Sequence, residues 1–230
     1  DIAKSWHIND STSTYTFTLR DDVYFHKNKV FKKDSTRSVV AQDFVYSFDR
    51  LLSPELASPG SWVFNAVQRY HAANDSTLVI QLNKPFPAFL GLLSMRYCSV
   101  VPKEAIAYYG NDFRSNPVGT GPFRFKFWEE NVKLVLRKNP IYFETDTQGN
   151  RLPYLEAVAI TFLPDKQSEF LQFAQGNIDF MTGLDNSYKD EIITTKGTLQ
   201  PKYKDRVQLI TTPYLNTEYL GFFMGSTTKE

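Results

Sequence analysis

Asn116-Pro117-Val118-Gly119-Thr120-Gly121-Pro122 runs straight into Phe123-Arg124-Phe125-Lys126-Phe127. The first seven residues are the tightest cluster of turn formers in the chain, where Gly frees the backbone and Pro fixes φ. The next five alternate aromatic and basic side chains, which predicts a strand presenting its three Phe on one face. Val132-Lys133-Leu134-Val135-Leu136 returns antiparallel, and Glu129-Glu130-Asn131 is the hairpin tip. A turn cluster opening onto a hairpin marks the best internal boundary, over residues 111–121.

Upstream, Tyr15-Thr16-Phe17-Thr18-Leu19-Arg20 alternates as a half-buried strand, and Val23-Tyr24-Phe25 resumes in extended form after Asp21-Asp22. Val40, Phe44, Phe48, Leu51 and Leu52 recur at helical spacing, so an amphipathic helix covers about 40–52 and stops at Pro54 and Ser58-Pro59-Gly60. A strand over Thr77–Leu82 follows, then a short apolar helix near 86–94, a brief strand at Ser99-Val100-Val101, and a helix opened by Pro102 and closed by Gly110. Downstream come a polar loop over Asp146–Asn150, a strand over Val158–Leu163, and a helix near 166–175 capped by Asp165 and ended by Gly176. Asn177–Phe180 reads as a strand, about 185–194 as a helix, and Val207–Ile210 and Tyr219–Phe223 as strands. The pattern is mixed α/β with crossover helices and antiparallel hairpins.

Composition narrows the functions. The 230 residues are 42% apolar and 22% charged, an ordinary globular balance. No apolar run is long enough to span a bilayer. Lys and Arg number 26 against 25 Asp and Glu, and phosphate binding needs a basic excess that this chain lacks, which argues against nucleic acid. Cys98, the single cysteine, reads as a small buried hydrophobe. The aromatic content of 15% favours strands and an aromatic-lined cleft.

Chemistry is sparse. His7, His26 and His71 are scattered, with no HExxH or paired-Cys spacing for zinc. Gly119-Thr120-Gly121 lacks the third Gly and preceding strand of a dinucleotide fingerprint. There is no phosphate-binding GxxxxGK[ST] loop and no G-x-S-x-G elbow. Asp21-Asp22 and Glu129-Glu130 fall at turns, where solvated acids are common. These features predict no cofactor, no metal and no enzyme.

The order of the segments says more. Ala3-Lys4-Ser5-Trp6 followed by Tyr15–Arg20 resembles the "A-x-S-W … Y-T-F-x-L-R" opening of the family 5 extracellular solute-binding proteins, the oligopeptide and dipeptide receptors of ABC importers. Phe25-His26 matches their "F-H" position, Ala41–Phe48 their "A-x-D-V-x-Y-S-F" helix, and Gly119-Thr120-Gly121-Pro122-Phe123 their "G-T-G-P-Y/F" turn. Asn139-Pro140-Ile141-Tyr142 resembles "N-P-x-Y", Gly176–Phe180 resembles "G-x-I-D-x", and Tyr219-Leu220-Gly221-Phe222 resembles "Y-L-G-F-N". Val40 stands where the family often has Thr, so the helix cap is lost or moved to Ser38. Lys27-Asn28-Lys29 replaces the usual Gly, and Phe223 the usual Asn.

The resemblance implies a periplasmic-binding-protein-like lobe (type II, cluster C): a mixed sheet with crossover helices plus a peripheral α+β subdomain. It divides the chain into a peripheral subdomain, 1–115, and part of a central sheet subdomain, 116–230. The second lobe is absent, and both ends are expected to continue into a longer chain. It further implies an extracytoplasmic receptor that closes on a peptide or other small solute and delivers it to membrane permease subunits, with a lipid anchor on the missing N-terminus an option. Gly119, Thr120, Gly121, Tyr214 and Tyr219 would then approach the ligand. The opposing reading makes Tyr219 core and leaves the glycines to serve backbone geometry alone. Trp6 and Trp128 read as packing anchors. Two other functions stay open: a solute-sensing regulator on the same fold, and a hydrolase whose active site lies in the missing part.

Overall fold

A computed structural model describes residues 1–11, 13–32, 35–213 and 216–222. The chain divides into two compact units, Asp1–Phe162 and Leu163–Glu230.

The first unit holds two antiparallel sheets. One has four strands in the order β1-β2-β4-β3: β1 Ala3–Asn9, β2 Thr14–Leu19, β3 Val67–Asn74 and β4 Thr77–Leu82. The central strands β2 and β4 alternate as their sequences predict, burying Tyr15, Phe17 and Leu19 beside Leu78, Ile80 and Leu82. The edge strands β1 and β3 carry mixed, largely polar sequences and have no counterpart in the sequence reading. Helix α1 (Ala41–Leu52) covers the sheet with Phe48 and Leu51, and α2 (Phe89–Leu93) adds Phe89. Helix α2 is shorter than the expected 86–94. Gly60 is required where it stands, because a Cβ there would lie 2.3 Å from the Tyr97 ring.

A second apolar cluster joins Val23, Phe25, Phe31, Val39, Val100 and Val118 to Ala105 of α3 (Lys103–Tyr109). Val23–Phe25 pairs in extended form with Arg37–Val39, through Phe25 N–H to the Arg37 carbonyl at 3.0 Å and Val39 N–H to the Val23 carbonyl at 2.9 Å. Ser99–Val101 is not a strand; it is an irregular connection into α3. Buried Ser47 holds it, accepting the Val101 N–H at 3.0 Å.

Of the two sequence options for the start of α1, the lost cap is the one observed, and it is not moved to Ser38. Val40 is the N-cap residue and has no polar side chain to offer. Asp43, in the first turn, accepts the Val40 N–H at 3.0 Å, so the helix end is satisfied from inside. Asp43 also receives a two-pronged contact from Arg37 (2.8 and 2.7 Å), and the same guanidinium grips Glu104 in the first turn of α3 (2.8 and 2.8 Å). The Arg37 guanidinium lies 4.9 Å from the Phe25 ring centroid. Burial works against the guanidinium charge, but the bonds from Asp43 and Glu104 outweigh it and hold Arg37 protonated. The Arg37 bond in turn keeps the Glu104 carboxyl below its ordinary range.

The other sheet is the meander β5-β6-β7: β5 Phe123–Glu129, β6 Lys133–Lys138 and β7 Ala157–Thr161. The three Phe of β5 do not share one face. A bulge between Phe125 and Phe127 inserts Lys126, so alternation slips by one residue. Phe123, Phe125 and Trp128 are half-buried, while Phe127 points outward with 44% of its surface exposed.

In the second unit, α4 (Lys166–Ala174) begins at Asp165, whose carboxylate accepts the Ser168 N–H at 2.8 Å. Helix α5 (Asn186–Ile192) is capped likewise by Asp185 through Ser187 at 2.9 Å. Phe170, Tyr188 and Ile192 form a small core, with Phe170 and Tyr188 stacked at 4.6 Å. The strands expected at Asn177–Phe180, Val207–Ile210 and Tyr219–Phe222 are absent: these stretches find no ladder partner among the described residues, and a strand without a partner leaves its amides unpaired. Phe223 lies outside the described residues. No helix among the described residues is long and apolar enough to cross a membrane.

Candidate ligand-binding site

Three of the short motifs that carry the resemblance meet around one turn. Val118, 2% exposed, anchors it in the second apolar cluster. From there Gly119, Thr120 and Gly121 run half-buried into β5. His26 grips this segment three times. Its backbone N–H donates to the Gly119 carbonyl at 2.7 Å, its Nδ1 accepts the Gly119 N–H at 3.4 Å, and its Nε2 lies 2.9 Å from the Gly121 carbonyl. Asn139, 1% exposed, completes the hold from the Asn-Pro turn. Its Nδ2 donates to the Gly121 carbonyl at 3.0 Å and its N–H to the Pro122 carbonyl at 2.8 Å. Its Oδ1 accepts the Ile141 N–H at 3.2 Å.

The pinned segment forms part of the rim of a cavity of about 560 Å³. Phe17 and Leu19 of β2, Ile80 of β4, Phe44 and Phe48 of α1, and Leu90 of α2 give it apolar walls. Ser94, Ser99 and Thr120 supply hydroxyls at its edge. Such a hollow, apolar inside with a few polar groups at the mouth, suits capture of a small molecule or side chain.

Gly119 and Gly121 do not owe their presence to backbone strain. Neither has a positive φ, and a Cβ on Gly121 would meet nothing within 4 Å. Their bareness leaves the rim backbone open to close approach from outside. Thr120 stands between them on the same rim. Tyr219 lies in the second unit with 87% of its surface exposed, so it is not core there. Tyr214 lies outside the described residues. Trp6 is not a packing anchor: it sits at the cavity rim, 52% exposed. Trp128 is half-buried with the Arg114 guanidinium 4.6 Å from its ring centroid.

Cys98 also lines the cavity, but burial pushes its thiol up to about 11, so it is a poor nucleophile near neutrality. Burial likewise pulls the His26 ring below its ordinary value, partly opposed by the Gly121 carbonyl and aided by Arg124. Among the described residues, no group of three or more His, Cys, Asp or Glu is placed to hold a metal ion. The glycine turn and the "F-H" and "N-P" pairs are legible in the sequence, whereas the hold of His26 and Asn139 on the turn is not. The only sequence clue to it is an isolated His beside a Phe in a chain with a Gly-rich turn elsewhere.

The chain is 29% identical to heme-binding protein A of Haemophilus influenzae, matching 96% of this chain and 40% of that protein. It is 25% identical to the dipeptide-binding protein of Escherichia coli, over 96% of this chain and 41% of that one. Among solved structures, the periplasmic binding protein DppA from Helicobacter pylori in complex with peptide STSA superimposes with a TM-score of 0.72 at 29% identity, covering 84% of this chain and 39% of that one. The chain therefore spans about 40% of the length of the curated relatives it matches. The model "Bacterial extracellular solute-binding proteins, family 5 Middle" matches residues 1–228, and the chain belongs to that family.

Proposed function

We propose that this chain is part of a receptor that captures a di- or oligopeptide outside the cytoplasm and presents it to the membrane permease of an ABC importer. The observation that carries the reading is the bare backbone of Gly119–Gly121, pinned by His26 and Asn139 at the mouth of an apolar cavity. His26 and Asn139 occupy both main-chain groups of Gly119 and the Gly121 carbonyl, but the N–H groups of Thr120 and Gly121 have no bond among the described residues and are left to pair with a peptide main chain, while the apolar hollow accommodates varied side chains. A relative that is a dipeptide-binding protein and a structural relative solved with a bound peptide support the same ligand class.

In this reading residues 1–115 form the peripheral subdomain of one lobe and 116–230 part of its central sheet. Thr120, Tyr214 and Tyr219 face the ligand along with the two glycines. The stretches 207–210 and 219–222 gain strand partners from the remainder of the longer protein. No bond in the ligand is broken.

The test is calorimetry on the full-length protein with Ala-Phe, Ser-Thr-Ser-Ala and haem as probes. Saturable binding of a peptide at micromolar concentration or tighter, with the peptide recovered intact, is expected. Haem binding without peptide binding overturns the ligand class. Release of cleaved peptide overturns the receptor reading.

A further inference from the structure

We propose that His26 is a positioning residue whose neutral, Nε2-protonated ring holds the Gly119 end of the cavity rim in its binding geometry, so that ring protonation frees this end and weakens ligand capture. The last clause rests on the proposed function; the rest stands on the geometry alone.

The bonds dictate the tautomer. The Gly121 carbonyl can only accept, so Nε2, at 2.9 Å, carries the proton. The Gly119 N–H can only donate, so Nδ1, at 3.4 Å, must be bare. One neutral tautomer satisfies both partners, and the imidazolium satisfies one. Adding a proton to Nδ1 sets two N–H groups against each other at the Gly119 end.

The two ends of the rim then part company. Gly121 keeps its bond to Nε2 and its independent bond to Asn139 at 3.0 Å. Gly119 keeps only its carbonyl's bond to the His26 backbone. The change is therefore local: the segment hinges about Gly121.

The setting gives the imidazolium no compensation. A small hollow of about 50 Å³ beside the ring is lined by Lys27, Asn28, Asn116, Pro117, Arg124 and Phe125. The charged groups facing His26 are Lys27 from its own loop and Arg124 from β5, both cationic. The residue is buried, 8% exposed, which adds a desolvation cost to the new charge.

The experiment uses the full-length protein, labelled on histidine nitrogen, with the His26 resonances assigned as those lost in His26→Asn. At pH 8 the nitrogen shifts are expected to show proton on Nε2 alone. Exchange of the Gly119 amide, corrected for its intrinsic pH dependence, is expected to lose protection at least tenfold as the ring titrates, while the Asn139 amide does not change. His26→Asn keeps an acceptor near the Nδ1 position and should retain Gly119 protection without the pH step. His26→Phe removes both ring contacts and should lose that protection at every pH while a thermal melt still reports a folded protein. Affinity for Ser-Thr-Ser-Ala should fall several-fold across the same titration in the parent and stay level in His26→Asn. A proton on Nδ1 at pH 8, or Gly119 exchange indifferent to the titration, overturns the proposal. If the tetrapeptide binds at no pH while the exchange step is present, the peptide reading fails and the positioning role stands.

Discussion

The two sheets of the first unit begin from similar strand signals and end in different surroundings. In β2 and β4 every second side chain is buried, because α1 and α2 cover that face. In β5, β6 and β7 no side chain is fully buried, and Phe127 and Ile160 are exposed at 44% and 40%. Alternation in a sequence announces a strand and a preferred face. Whether that face is covered depends on what packs over it, which lies elsewhere in the chain.

The sharpest way to break this contrast is a matched pair of truncations. Ile80→Ala, at a fully buried site in β4, should cost about 2–5 kcal/mol in a denaturant melt. Ile160→Ala, on β7, should cost under about 1 kcal/mol, because its side chain is already partly in water. Equal costs would mean that the meander is covered as well as the four-stranded sheet.

Next in size is the Arg37 fork beside the covered sheet. Arg37→Ala strands the buried carboxylate of Asp43 and releases Glu104, at a cost of about 3 kcal/mol. Arg37→Lys should recover little of it, since an ammonium cannot serve two carboxylates with paired bonds. Both are read as shifts in the melt midpoint.

Two glycines carry the contrast further. Gly60→Ala drives a methyl into the Tyr97 ring and should cost about 1–3 kcal/mol. Gly121→Ala, in open space leading into β5, should change stability by under about 0.5 kcal/mol. Under the proposed function, the same Gly121→Ala change in the full-length protein should nevertheless weaken peptide capture, because the new methyl occupies the rim. Unchanged affinity would remove Gly121 from the site.

Acid gives the gentlest test. The folded His26 ring holds its proton less tightly than the unfolded one, so the folded state binds fewer protons. Its contribution is complete above 6.5 and is lost as pH falls from there. Glu104 is held below its ordinary 4.5 by Arg37, so its contribution is complete above that value and lost as pH falls below it. Denaturant melts between pH 8 and pH 3 should therefore show stability declining in two stages, and His26→Asn should remove the upper one.

Particular residues show how far the sequence could be read. Strands β2 and β4 and helix α1 announce themselves by local periodicity, because each has one face buried along its whole length. The edge strands β1 and β3 do not: with few buried positions, Ala3–Asn9 and Val67–Asn74 owe their shape to the ladder of a neighbour. Val207–Ile210 and Tyr219–Phe222 err the other way, having the pattern of strands but no neighbour among the described residues. The site divides similarly. Turn chemistry points to Gly119–Gly121, whereas the grip of His26 crosses 93 and 95 residues of chain and leaves no local trace. The Arg37 contact to Glu104 spans 67 residues and was equally hidden.

The suppressed acidity of the Cys98 thiol has a practical consequence. It is this chain's one sulfhydryl, and burial keeps it protonated near neutrality. A maleimide dye applied at neutral pH would pass it over and modify a new cysteine introduced by Thr120→Cys. The pinned neighbours on either side would keep the fluorophore at the mouth of the hollow, turning this chain into an optical sensor whose emission reports what enters.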